Sequence, residues 1–287
     1  MKTINMLMKR LVILILLAAI PSFAFAGTIK YTSATSQEGV SIAFRIGLDD
    51  DGTINQVVVE TNAYNRAAIA STTEGTLTIP SSVVYNGQTH VVTGIGNKAF
   101  YYCNRLTSIV IPSTVTVIEG EAFRGCSGLT SIVIPENVTI INSNAFSECR
   151  NLQSITIPSS VTSLGSNLFS SCSGELRINC NLLYSSTLNG SSFSSIIIGD
   201  DVTVLGSSVF NNLKSLTSIV LGESLIEIGN NAFQGCTGLT SISIPNNVTY
   251  IGSNAFQGCT GLTSISFGDG VQDVGEKAFQ QCTKLAS

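Results

Sequence analysis

Apolar residues return every 23 positions over most of this chain. One position of the regular repeat is phenylalanine in eight copies, and in seven of them a leucine follows six residues later. A period of 20 to 30 residues is typical of a solenoid, because a single unit is too small to bury its own apolar edge and must stack on its neighbours. The phenylalanines are Phe100, Phe123, Phe146 and Phe169, then Phe210, Phe233, Phe256 and Phe279.

The repeating unit reads L-T-S-I-x-I-P-x-x-V-T-x-I-G-x-x-A-F-x-x-C-x-x, and 239–261 is one copy. Its first part alternates, which predicts a strand with Ile132 and Ile134 inward and Ser131 and Val133 outward. V-T-x-I-G predicts a second short extended piece, ended by glycine. The apolar spacing of three in A-F-x-x-C-x-x-L predicts a single helical turn. Together these elements predict an α/β solenoid, rich in strands and containing short helical turns.

The period sets the expected domain boundaries. Residues 75–287 carry the repeat, and 175–192 form a degenerate unit that has lost the proline, the V-T-x-I-G piece and the A-F turn. Within 27–74, two β-rich runs flank Asp49–Gly52, which predicts a hairpin that caps the first coil. The chain stops three residues into a new unit, so we expect a fragment whose C-terminal cap is missing.

The first 26 residues have the pattern of a secretory signal peptide. Lys2, Lys9 and Arg10 precede the ten-residue apolar run 11–20, and Ala24-Phe25-Ala26 provides a small-x-small cleavage motif. The run is too short to span a bilayer, and no later segment is long and apolar enough to do so. An N-terminal anchor that stays attached is the alternative. Export predicts a secreted or cell-surface location with no membrane span after cleavage.

The charge balance argues against a nucleic-acid partner. Charged residues make up 11% of the chain and its formal net charge is −4. Cleavage after residue 26 leaves 11 Lys and Arg against 18 Asp and Glu, a net charge of −7. Phosphate binding needs clustered Lys and Arg, which the sequence does not contain.

Seven of the eight cysteines follow the repeat phenylalanine by three residues. Eight cysteines in an exported chain invite a disulfide interpretation. The spacing instead places Cys103, Cys126, Cys149, Cys172, Cys236, Cys259 and Cys282 on one inner edge, and aligns Cys180 with Ile157. Side chains in register point in parallel, which fits neither disulfide geometry nor a tetrahedral zinc site. We therefore expect buried free thiols that act as small apolar residues.

No other residue set indicates catalysis, a cofactor or a metal. Asp49 and Asp51 faintly resemble a calcium loop, but Gly47 stands where a further acid is required, and a hairpin turn is the alternative. His90, the one histidine, lies in an extended run without a partner at catalytic spacing. The sequence thus predicts neither an enzyme nor a cofactor, although a chance spatial pair of carboxylates stays open.

The outward strand positions are the expected binding face, since solenoids bind through their extended strand surface. Most carry Ser, Thr or Val, giving a flat and uncharged strip. Arg177 and Asn179 of the degenerate unit are the exceptions, and with Asn181 and Tyr184 they are the candidate ligand-binding residues. Simple decay of the repeat is the alternative explanation for this irregular unit.

The unit LTSIxIPxxVTxIGxxAFxxC resembles the BspA-like, or treponemal-type, class of leucine-rich repeats, and Ala122–Pro135 carries its most specific string. The resemblance covers 75–287, with 75–100 similar to the entry unit of such proteins. It implies a curved right-handed superhelix, export, and adhesion to host matrix proteins, mucins, glycoconjugates or other cells. It supplies no catalytic residues. The degenerate unit and the missing C-terminal region depart from the regular pattern.

Two functions follow from this reading. The first is an extracellular protein that binds protein or glycoconjugate ligands. The second is a structural spacer whose repeats project a missing domain and bind nothing themselves. Nearly invariant serine on the outward strip favours the spacer, while the irregular unit favours a ligand site.

Overall fold

The computed structural model describes residues 29–48, 54–59, 67–70, 72–181 and 186–285. In this part the chain winds into a β-solenoid with a period of 23 residues in its regular coils. Each regular coil gives one strand to a main sheet, a two-residue strand to a second sheet, and a series of turns that contains the repeat phenylalanine.

In chain order the strands are β1 (Ile29–Thr35), β2 (Ser41–Leu48), β3 (Ile54–Val59), β4 (Gly75–Thr78), β5 (Ser82–Tyr85), β6 (Gln88–Val91), β7 (Gly94–Ile95), β8 (Leu106–Val110), β9 (Val117–Ile118), β10 (Ser131–Ile132), β11 (Ile140–Ile141), β12 (Ser154–Ile157), β13 (Ser163–Leu164), β14 (Ser173–Ile178), β15 (Ser192–Ile198), β16 (Val204–Leu205), β17 (Ser218–Val220), β18 (Glu227–Ile228), β19 (Ser241–Ile244), β20 (Tyr250–Ile251), β21 (Ser264–Phe267) and β22 (Asp273–Val274).

The main sheet is parallel and keeps equivalent residues side by side. Its order is β17-β15-β14-β12-β10-β8-β4, and β19 and β21 form a further parallel pair. Ser131 pairs with Ser108 on one side and Ser154 on the other. Because side chains alternate along a strand, this register buries Ile132 and leaves the serines outside.

The second sheet is interrupted once. Strands β3, β7, β9, β11 and β13 form one parallel run, and β16, β18, β20 and β22 form another. The break falls at the degenerate unit, which gives no strand to this sheet within the part that the structure describes. The loss of the V-T-x-I-G piece from the sequence explains the interruption.

A column of stacked phenylalanine rings fills the core. Phe100, Phe123 and Phe146 lie with successive ring centroids 5.3 Å apart and nearly parallel planes. A second column runs from Phe210 to Phe279, with centroids 5.0 to 5.2 Å apart. The spacing is close to the distance between neighbouring parallel strands, so stacking identical coils aligns the rings automatically.

The predicted helical turns are wrong, and with them the α/β class: the described residues contain no helix. Each turn series has left-handed residues two positions before and two after its phenylalanine, as at Asn144 and Glu148 around Phe146. A left-handed residue ends a right-handed helix. The backbone N–H groups of these three residues donate instead to carbonyls of the next coil, so the turns are joined as a ladder.

The cysteine ladder is confirmed for the seven repeat cysteines, which are unpaired thiols. Six are fully buried and Cys282 is half-buried. From Cys126 onward, each repeat Sγ donates to the carbonyl oxygen of the phenylalanine 26 residues earlier, at 2.9 to 3.2 Å. Cys180 is also buried, but its alignment with Ile157 is wrong, because Ile157 pairs with Ile178.

The segment before the repeats forms antiparallel strands. Strands β2 and β3 pair as the sequence predicts, and β1, which the sequence did not reveal, pairs with β2. Strand β3 also pairs in parallel with β7 of the first coil, and Arg45 of β2 forms an ion pair with Glu119 at 3.2 Å. The signal segment 1–26 and the Asp49–Gly52 turn, with its calcium alternative, lie outside the described residues. Where the structure is described, no helix could span a membrane.

Candidate ligand-binding site

The degenerate coil joins the main sheet two residues out of the register that the 23-residue period predicts. Ser154 pairs with Glu175 and Thr156 pairs with Arg177, an offset of 21. This shift places Leu176 and Ile178 at the two inward positions of the strand, where the regular offset would have placed Ile178 and Cys180. A shift of two residues leaves the facing of every side chain unchanged. The outward pair of this coil is therefore Glu175 and Arg177, and the predicted pair of Arg177 and Asn179 is corrected.

Arg177 lies in the middle of a line of outward side chains that we call the outer row. Its side chain is exposed and makes no hydrogen bond or ion pair with any residue that the structure describes. The preceding outward residue, Glu175, accepts a hydrogen bond from Ser195 at 3.4 Å. The outer row consists of Val110, Val133, Thr156, Arg177, Ile197 and Val220.

The outer row is more apolar than its serine-rich neighbours. The exposed fraction is 48% for Val110, 77% for Val133 and 55% for Val220, so three β-branched side chains stand open to solvent on a continuous sheet. Val110 and Val133 are neighbours in the row, and Thr156, Arg177 and the half-buried Ile197 lie between them and Val220. These valines are present in the sequence pattern, but the many serines at outward positions obscured the fact that the valines occupy equivalent positions.

Asn179 lies just after strand β14, outside the outer row. Its backbone N–H donates to Ile157 at 3.0 Å, and its half-buried side chain covers Gly199 of the next coil. A Cβ atom at position 199 would come within 2.2 Å of the Asn179 Oδ1 atom. The close approach requires glycine there, and this contact gives Asn179 a packing role.

Asn181 replaces a missing piece of backbone. In a regular coil the carbonyl of Thr139 accepts hydrogen bonds from the N–H groups of Thr162 and Ser163. In the degenerate coil the Asn181 Oδ1 atom accepts from Thr203 at 2.7 Å and Val204 at 3.3 Å. Its Nδ2 atom donates to the Thr203 hydroxyl at 3.2 Å. Both the oxygen and the nitrogen of the Asn181 side-chain amide are therefore hydrogen-bonded to the next coil.

The structure therefore separates the three candidate residues that it describes. Arg177 faces outward on the main sheet, Asn179 packs at the end of its strand, and Asn181 completes the edge of the second sheet. Tyr184 lies outside the described residues. In the described part no group of three or more metal-ligating side chains occurs.

The family assignment rests on a match across most of the repeats. The model of the BspA type leucine-rich repeat region matches residues 93–182 and 181–287, with six copies of the repeat. The chain belongs to this family. The resemblance to the BspA-like, treponemal-type class is thereby confirmed, and no curated protein matches the chain.

Several solved structures are similar to this chain. A leucine-rich repeat protein from T. pallidum is 25% identical over 76% of this chain and 87% of its own, with a TM-score of 0.49. One from Eubacterium ventriosum is 28% identical over 62% of this chain and 50% of its own, with a TM-score of 0.49. One from Bacteroides capillosus is 32% identical over 45% of this chain and 87% of its own, with a TM-score of 0.36.

Proposed function

We propose that this chain is a secreted or cell-surface, non-enzymatic leucine-rich repeat protein that binds an extracellular protein or glycoconjugate through the outer row. The observation that carries the proposal is the outer row itself, in which exposed valines lie on both sides of Arg177. Exposed apolar strips that persist on a folded surface mark interaction sites. Arginine is enriched among the residues that contribute most to protein interfaces, so Arg177 is the expected anchor.

Export is supported by the charged and apolar pattern of residues 1–26 and by membership of the BspA-type family. Expression of the whole chain in a bacterium, followed by mass measurement of the product outside the cytoplasm, tests it. A product that begins at Gly27 is expected. A product that keeps residues 1–26 and remains in the cytoplasm contradicts export.

The binding experiment uses the purified chain on immobilised matrix proteins, mucins and glycans. Val133→Ser and Arg177→Ser should each weaken saturable binding by about tenfold, the equivalent of 1.4 kcal/mol. The matched control is Ile226→Ser, which alters an equally β-branched and 47% exposed side chain away from the outer row. Equal losses in all three variants, or unchanged binding in both outer-row variants, would exclude this surface.

The spacer function is the second candidate, favoured by the last coils. Where the outer row would continue, these coils carry Ser243 and Ser266, which are exposed and hydrogen-bonded to each other at 2.9 Å. A strip of hydroxyls lacks the large anchors of a tight interface. A folded chain that binds nothing on the panel, as checked by circular dichroism, would favour the spacer.

A further inference from the structure

The ladder of hydrogen bonds between successive turns is missing at one junction. At a regular junction three backbone N–H groups cross over, as from Asn144, Phe146 and Glu148 to the next coil. The turn of the degenerate coil still receives three such bonds from the coil before it. Among the described residues, none joins 186–191 to the following turn at 208–213.

The missing junction coincides with a missing phenylalanine. Asn167 and Ser171 donate to the carbonyls of Ser186 and Gly190, an alignment that places Asn189 where other coils carry the repeat phenylalanine. Phe193 fills the ring column instead, and its ring lies perpendicular to that of Phe169 at 5.6 Å. Asn189 itself is exposed, and the neighbouring Leu188 is the apolar residue of this turn that is buried in the core.

A cavity of about 190 Å³ lies between the two turns. Its wall has an apolar part and a neutral polar part, with no charged residue. A buried hydroxyl in that wall, Ser191 Oγ, has no hydrogen-bond partner. A buried polar atom left unpaired is destabilising, and a ligand hydroxyl that reached it would recover that loss. The lining residues are Leu188, Asn189, Gly190, Ser191, Val209, Phe210, Asn211, Asn212 and Leu213.

The side-chain amides of Asn211 and Asn212, both in the wall, are held in place by a chain of hydrogen bonds. Asn212 donates to Asn211, which donates to Gln234 at 2.8 Å. Gln234 donates to Gln257 at 2.6 Å, and Gln257 to Gln280 at 2.7 Å. Amides linked head to tail polarise and orient one another. The chain begins at the cavity, so Asn211 and Asn212 present a preorganised polar edge.

We propose that this cavity binds a single neutral sugar residue. A sugar ring offers hydroxyls that both donate and accept, as amides and a serine require, and C–H groups that suit the small apolar part of the wall. The cavity volume equals that of about six waters at roughly 30 Å³ each, which is enough for one sugar ring. It is smaller than the usual pocket for a drug-sized ligand. A charged ligand would be desolvated without a counter-charge. The site lies on the turns and does not depend on the outer row.

The test is calorimetric titration of the whole chain with glucose, galactose, mannose and N-acetylglucosamine. Ser191→Ala and Asn189→Ala should weaken binding by about tenfold or more, because each removes a hydrogen bond to the ligand. The control Ser207→Ala changes an exposed serine of the adjoining coil outside the lining and should bind as the unaltered chain does. Ser191→Ala should also keep or raise the melting temperature, since it removes an unpaired buried hydroxyl, whereas a merely structural serine would lower it.

Three results would overturn the proposal. The first is no saturable binding of any of the four sugars up to about 10 mM, a limit ten times weaker than a millimolar complex. The second is binding that Ser191→Ala and Asn189→Ala leave unchanged. The third is binding of a short glycine-rich peptide to the same cavity with no binding of a sugar. Loss of matrix-protein binding in the outer-row variants would leave all three results unaffected, so the two proposals fail separately.

Discussion

At the scale of single residues, Asn181 shows how a side chain can repair a shortened coil. Among the described residues the degenerate unit offers no second-sheet strand carbonyl to the next coil, and the N–H groups of Thr203 and Val204 would otherwise lose their acceptor. The amide oxygen of Asn181 stands in for that carbonyl. Asn181, a candidate ligand-binding residue from the sequence, therefore has a structural role in joining two coils.

We expect Asn181→Ala to lower the free energy of unfolding by about 1–2 kcal/mol, because the N–H groups of Thr203 and Val204 lose their acceptor. Asn181→Asp keeps an acceptor oxygen at the same place and should lose much less. Urea denaturation of the two variants measures the difference. If both variants lose the same amount, the oxygen is not the group that matters.

The thiols of the cysteine ladder are a second feature that appears at residue scale. Burial raises the pKa of Cys172 to about 12, from an ordinary value near 9, and its Sγ donates a hydrogen bond to the carbonyl oxygen of Phe146 at 3.0 Å. Burial also raises the pKa of Cys103 and Cys259 to about 12. These thiols are poor nucleophiles at neutral pH, since the thiolate is the reactive form.

These pKa shifts predict instability in alkali. Unfolded Cys172 releases its proton near pH 9, but the folded chain holds it until about pH 12. The stabilisation is thus fully present below pH 9 and is lost as the pH rises from 9 through 12, by about 1.4 kcal/mol per pH unit for each thiol. In Cys172→Ala the free energy of unfolding should fall less steeply between pH 8 and about 10.5 than it does in the unaltered chain. Identical slopes for the variant and the unaltered chain would contradict this account.

At the scale of elements, the turns depend on left-handed residues at fixed positions. The position two residues after the phenylalanine is left-handed in every turn series, and glycine fills it at Gly125, Gly235 and Gly258. At Gly125 the ring of Tyr102 also lies within 2.8 Å of where a Cβ would stand. Glycine adopts this conformation without strain, whereas other residues pay about 1–2 kcal/mol.

Two substitutions at this one position should have opposite effects. Gly258→Ala should destabilise by about 1–2 kcal/mol, because φ is +72° while the nearest atoms lie 3.9 Å from the new Cβ and leave it room. Ser171→Gly, at φ 62°, should stabilise by up to about 1 kcal/mol. Thermal unfolding of both variants checks the pair. Shifts of the same sign would show that backbone conformation does not control this position.

Much of the element order was predictable from sequence, because the 23-residue period is a direct record of stacking. The strands around Ile132 and the unpaired ladder cysteines followed from it. The helical turn was wrong, since a spacing of three also fits consecutive turns with hydrogen bonds across three residues. Recurrent asparagine and glycine around the phenylalanine, such as Asn144 and Gly258, were the overlooked signal, because these residues adopt left-handed conformations readily.

The candidate site was less predictable, because register depends on which side chains fill the core. A 23-residue offset and a 21-residue offset give Arg177 the same facing, so the sequence pattern could not choose between them. The choice depends on whether Cys180 or the bulkier Leu176 joins Ile178 at the inward positions of the strand. Asn181 acts through a hydrogen bond to a residue 22 positions away, which no local pattern encodes.

At the scale of the whole molecule, the degenerate coil divides the solenoid into two stacks of coils, one before it and one after it. It weakens the coupling between these two stacks. The second sheet stops at β13 and resumes at β16, and the turn ladder is missing between 186–191 and 208–213 among the described residues. Only the main sheet continues, through β14, β15 and β17. In a solenoid each coil is stabilised mainly by its neighbours, so the weakest interface determines where unfolding can stop.

We expect the two stacks to unfold separately when one is damaged. Phe233→Ala removes a fully buried ring from the middle of the second column and should cost about 3–5 kcal/mol. Hydrogen exchange followed by mass spectrometry should then show faster exchange in 208–285, with 98–171 unchanged. Phe123→Ala, the matched change in the first column, should give the reverse pattern. Faster exchange along both stacks in either variant would mean that the main sheet is sufficient to couple the two stacks. The break at the degenerate coil would then have no effect on unfolding.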